Sequence, residues 1–133
     1  MSNDATIVID VLVLEEDPRR IEHFRRYLTG VVLAIVPNTQ ELITLLQRGA
    51  PPFLFLGCGV PEGRLIAAWI GEHSEPFRTM QTLIVLHAPR EKRITPVKCL
   101  FARLGMRALR LPAACSDGRL LGAIVTEIRK RGR

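Results

Sequence analysis

The chain has 133 residues, of which 24% are charged and 47% hydrophobic, and its net charge is +6. That length suits one domain with a buried core, and the composition excludes general disorder. Its apolar runs are too short or too broken to cross a bilayer, and its start lacks the basic-then-apolar pattern of a signal peptide, so a cytoplasmic protein with no membrane partner is expected.

Residues 1–6 are polar. Ile7 to Leu14 reads as a first strand, β-branched and apolar except for Asp10. Glu15-Glu16-Asp17-Pro18 ends it; Asp17 suits an N-cap and Pro18 a first helical position. The helix runs to about Leu28, with Ile21, Phe24 and Leu28 inward and arginines outward, and Gly30 stops it. Val31 to Val36 is the second strand. Asn38 with Glu41 forms a capping-box pattern that opens a helix to Gln47, with Leu42, Leu45 and Leu46 inward.

Pro51-Pro52 lead into Phe53-Leu54-Phe55-Leu56, an apolar run that stops in the Gly-rich stretch Gly57 to Gly63. Such a run between turn signals suits the buried middle of a parallel sheet. Arg64 to His73 is predicted helical, Ser74 to Gln81 a loop, and Thr82 to Leu86 the fourth strand. Thr95 to Leu104 is the fourth helix: Val97, Leu100, Phe101 and Leu104 fall at i, i+3, i+4 and i+7. Met106 to Leu111 is the fifth strand, stopped by Pro112. Ser116-Asp117 caps a last helix with the stripe Leu121, Ile124, Val125 and Ile128.

Strands that alternate with helices pair in parallel through right-handed crossovers. Five such units in this length predict an α/β, flavodoxin-like doubly wound sheet of order 2-1-3-4-5, with its switch point between the first and third strands. Glu15 and Glu16 would then face Gly57 and Cys58 across one crevice, with His87, Leu111 and Pro112 near it.

At these positions the sequence resembles the receiver domain of two-component response regulators, over about residues 7–131. Val11 to Pro18 looks like the family's first strand and acidic cluster, and Phe53 to Pro61 like its phosphoacceptor strand with the proline that follows. Leu83 to Ala88 looks like the strand that carries a hydroxyl residue, and Leu104 to Pro112 like the one that ends in Lys-Pro. The resemblance implies a single receiver-like domain. It also implies how the family's chemistry departs here. Gly57 stands at the aspartate nucleophile, His87 at the hydroxyl, Leu111 at the lysine and Ala108 at the switch aromatic. Without the nucleophile no phosphoryl group can be taken up at that position. A pseudo-receiver is implied: a stand-alone signalling module of phosphorelay type that works by phosphorylation-independent protein contact, with no cofactor. Only the acidic pair Glu15 and Glu16 is retained. It either holds a weakly bound Mg²⁺ or is simply a solvated charge pair before a helix N-terminus.

In receivers the fourth helix, fifth strand and last helix commonly form the partner or homodimer surface. The corresponding candidates here are Arg103, Arg107, Arg110 and Ile128. With no output domain in the sequence, the expected partner is another signalling protein or a second copy.

The same residues also admit other chemistries. Cys58 and Arg64 form C-x5-R after a strand, which resembles the phosphate loop of cysteine-dependent phosphatases and arsenate reductases. Pro61 lacks a donor there, Glu62 would repel phosphate, and Leu65 stands where a hydroxyl residue would help. A buried structural cysteine is the plainer reading of Cys58. A displaced acceptor at Glu62 or Asp17 would keep the phosphoryl switch alive. The basic balance could serve a nucleic-acid-binding module, but the charge is spread and aromatics make up only 5%, which disfavours it. Cys58, Cys99 and Cys115 are odd in number and without a C-x-x-C pair, which fits a reducing compartment. His23, His73 and His87 show no metal-ligand spacing, and Trp69 suits packing.

Overall fold

The structure, a computed structural model, describes residues 9–87 and 95–110 together with the single positions 122, 126 and 130. Leu111, Pro112 and Ile128 lie outside the described residues, and so does most of the expected last helix, in which Gly122, Thr126 and Lys130 are helical.

The strands are β1 (Val11–Leu14), β2 (Leu33–Val36), β3 (Phe53–Leu56), β4 (Leu83–Leu86) and β5 (Arg107–Arg110). The helices are α1 (Pro18–Tyr27), α2 (Thr39–Leu46), α3 (Val60–Glu72), α4 (Ser74–Met80) and α5 (Thr95–Arg103). The strands form one parallel sheet of order β2-β1-β3-β4-β5, the expected flavodoxin-like order. The three central strands are buried along their whole length, as parallel strands covered on both faces must be.

Strand alternation splits the core in two. Leu12, Leu14, Leu54, Leu56, Ile84 and Leu86 face Leu42, Ile66, Ile70, Phe77, Val97 and Phe101 of the helices α2 to α5. Val11, Val13, Phe53, Phe55, Leu83 and Val85 face Phe24 and Leu28 of the α1 side. Phe24 meets Phe55 edge to face, with ring centroids 5.0 Å apart.

Several boundaries differ from the sequence expectation, each for a local reason. Ile7 and Val8 of the expected first strand lie outside the described residues; Asp10, whose carboxylate accepts the Val32 amide at 2.8 Å, precedes β1, which runs from Val11. The third helix starts four residues early, at Val60. Gly59 is its N-cap and Pro61 sits in its first turn, where its fixed φ suits a helix and its missing donor leaves no bond unmade. The Gly-rich turn is therefore only Gly57 to Gly59. The stretch expected as a loop after His73 is the helix α4. Its Phe77 is 1% exposed, and its Gln81 adopts the left-handed conformation (φ 56°) that ends it. Burial of one aromatic side chain outweighs weak local helix signals here. Asn38 does cap α2, accepting the Glu41 amide at 2.9 Å. The Glu41 carboxylate returns to the Asn38 side-chain amide rather than to its backbone.

Candidate functional site

Beyond the C-terminal ends of β1, β3 and β4 the hydrogen-bond ladder continues for one more residue. Glu15 N donates to Val36 O (3.1 Å), Gly57 N to Leu14 O (2.9 Å) and His87 N to Leu56 O (3.0 Å). Sheet geometry thus sets Glu15, Gly57 and His87 side by side at the switch point, where open α/β sheets place ligands. They line one pocket of about 760 Å³ together with Glu16, Asp17 and Arg20, Pro37 to Thr39, Cys58, Gly59 and Glu62.

The inner wall is tightly made. Glu15 is 6% exposed and His87 2%. Arg20, on the first turn of α1, reaches both: its Nη1 lies 3.5 Å from Glu15 Oε1 and 2.8 Å from His87 Nδ1. Glu15 Oε2 also accepts the Asp17 amide at 3.2 Å. A guanidinium has donors only, so His87 Nδ1 is the acceptor and the ring proton sits on Nε2. The His87 ring rests beside Phe55, with centroids 6.1 Å apart.

Gly57 is shaped to this wall. A Cβ at that position would lie 2.6 Å from Glu15 Oε1, 3.0 Å from Leu14 O and 3.1 Å from Phe55 Cε1. The Glu15 carboxylate occupies the space a side chain at 57 would need. The glycine answers to close approach rather than to an unusual backbone angle, since its φ is not among the positive values.

Burial pushes the Glu15 carboxyl above its ordinary value, against the lowering effects of the Asp17 amide and the Arg20 guanidinium. A raised folded value means that the folded chain holds this proton more tightly than the unfolded one. The linked stability is full below the unfolded value and is lost as pH rises through the folded one. Urea unfolding from about pH 4 to pH 7 should therefore show the stability of the wild type falling relative to Glu15→Gln as pH rises. Parallel profiles would mean that Glu15 is not held in this environment.

The acidic pair is divided by burial: Glu15 is turned inward and Glu16 is exposed. Mg²⁺ prefers carboxylates that converge in near-octahedral geometry. Glu15 is already engaged by a guanidinium and an amide, and no group of three His, Cys, Asp or Glu residues among those described could hold a metal ion. With Glu15 engaged in this way, the donor set does not fit a divalent cation.

Cys58 is half-buried in the pocket wall, and Arg64 lies exposed on the second turn of α3. Between them the chain is already helical from Val60, and the Gly63 amide is spent on Gly59 O at 3.0 Å. No five-residue loop is left to wrap an oxyanion. Asp17, the alternative acceptor, binds the Arg19 amide through Oδ1 at 3.0 Å as the α1 cap. Glu62 lines the pocket from the exposed first turn of α3. Trp69 and His73 stack on one another 4.1 Å apart, and neither lines the pocket.

The partner-surface candidates lie at the β5 edge of the sheet. Arg103 and Arg107 are exposed, Leu109 is 38% exposed, and Arg110 ends β5 opposite Leu86. Arg20 was legible only as one of several arginines on the first helix. The available signal was its place in the first turn after the Asp17 cap, where a long side chain can reach back over the preceding strand end.

No family model and no curated protein matches the sequence. Among solved structures the chain is similar to a CheY-like protein, TadZ, from Pseudomonas aeruginosa PAO1. The TM-score is 0.55 and the sequence identity 17%, over 90% of this chain and 93% of the other. At that identity the likeness shows the fold: this is a receiver-like chain in architecture. No helix among the described residues is long and apolar enough to cross a membrane.

Proposed function

We propose that the protein is a pseudo-receiver, a signalling module of phosphorelay type that works by binding another protein or a second copy of itself and takes up no phosphoryl group. The observation that carries this reading is the Glu15 carboxylate lying over Gly57. The acceptor position has no nucleophile, and the space for one is filled by an ion-paired side chain. The fold shared with a CheY-like protein supports a signalling module over an enzyme. The contact surface we favour is the end of α5 with β5. There, Arg107 and the partly exposed Leu109 share one face of β5 and Arg103 is exposed at the end of α5, basic and apolar groups suited to a partner with acidic groups.

Intact-mass spectrometry after incubation with Mg²⁺ and acetyl phosphate tests the reading. An unchanged mass is expected. A phosphoryl adduct on Glu62, Asp17 or another carboxylate would overturn it. An adduct on Cys58 would replace it with a thiol enzyme.

A further inference from the structure

We infer that Arg20 is the pocket's own cation: its guanidinium takes the charge-neutralising place that a divalent ion would hold, and it makes the pocket independent of metal. Four acidic side chains (Glu15, Glu16, Asp17 and Glu62) line this pocket, and Arg20 is the basic residue lining it among the described residues. Such a cluster would ordinarily attract a cation from solution. Here the cation is supplied by α1.

Three features make the substitution specific. The Arg20 side chain is 17% exposed and its partner Glu15 7%, so the pair sits in the wall rather than on the surface. The same Nη1 spans Glu15 Oε1 and His87 Nδ1, tying the end of β1 to the end of β4 across β3. An arginine also keeps its charge at every pH the protein meets, so the neutralisation is permanent, whereas a bound ion comes and goes with its concentration. A divalent ion placed among these carboxylates would face the guanidinium directly and be repelled. Arg20 is thus a positioning residue. It holds Glu15 over Gly57 and fixes the His87 ring with its proton on Nε2.

The test is Mn²⁺ binding followed by the loss of the free-ion signal in electron paramagnetic resonance, on wild type, Arg20→Lys, Arg20→Met and Arg20→Met/Glu15→Gln. Wild type and Arg20→Lys should take up no Mn²⁺ at ion concentrations up to about 1 mM, a range in which weak oxygen-ligand sites fill. Arg20→Met should bind at least about tenfold more tightly, the effect of removing one unit charge near the ion. The double variant should lose that gain. Mn²⁺ taken up by the wild type overturns the inference, and so does a folded Arg20→Met with no gain. Should Arg20→Met fail to fold, Arg20→Lys decides: ion uptake by this charge-preserving variant is equally fatal. None of these outcomes bears on phosphoryl transfer, which the mass measurement reads by itself.

Discussion

Replacing Gly57 with alanine is expected to destabilise the protein by about 1–3 kcal/mol, the usual cost of forcing an extra carbon into a packed site. The added Cβ meets three neighbours, and none yields freely. Leu14 O, at 3.0 Å, is backbone within the sheet, and Phe55 Cε1, at 3.1 Å, belongs to a ring that is 1% exposed. Glu15 Oε1, at 2.6 Å, is the tip of a side chain that could swing away, but only by leaving Arg20 and the Asp17 amide. Gly57→Asp, which places a carboxylate where receiver domains carry theirs, should cost more than alanine, because it buries a second carboxylate against the first without a second cation. Urea midpoints at constant m-value measure both. Glu15→Asp withdraws the oxygen by one methylene, so the Gly57→Ala/Glu15→Asp cycle should show a favourable coupling of about 0.5–3 kcal/mol. A Gly57→Asp protein as stable as the wild type would mean that the carboxylate does not fill this space.

The architecture was legible because its signals are redundant. Each central strand is a four-residue apolar run with a Gly, Pro or acidic break beyond it, and each intervening helix except α4 has its own apolar stripe. Right-handed parallel connection leaves few other ways to bury them. The residues of the crevice were legible for the same reason, since strand ends in this fold meet at the switch point. What the sequence could not convey was direction. Glu15 and Glu16 are adjacent and chemically alike, yet one is buried and one exposed, and only the sheet register decides which. Likewise Arg20 is one arginine among Arg19, Arg25 and Arg26, all of which are exposed while it turns inward. The helix α4 escaped for a different reason. Its seven residues are too few for a periodic pattern, and its formation depends on the place Phe77 finds in the core.

Removing the guanidinium is expected to be the most damaging single change in the pocket. Arg20→Met keeps much of the stem but leaves Glu15 buried without its cation and His87 Nδ1 without this donor. Breaking a buried pair from one side typically costs about 3–5 kcal/mol; the 3.5 Å separation from Glu15 and the partial exposure of Arg20 place the expected loss near about 3 kcal/mol at neutral pH. The pH dependence identifies the cause. Without Arg20 one of the influences lowering the Glu15 value is gone, so burial pushes it higher still. The deficit relative to wild type should then be largest where Glu15 must be ionised and should shrink on acidification, as the folded variant takes up the proton. Arg20→Met/Glu15→Gln should recover much of the loss at neutral pH, because an uncharged partner at 15 no longer needs a cation. A lost arginine that acted only through its packing would give a deficit flat in pH and unrescued by Glu15→Gln. Urea titrations of the two variants across the acid range separate these outcomes. A flat deficit would leave the apolar stem, not the charge, as what α1 contributes to this pocket.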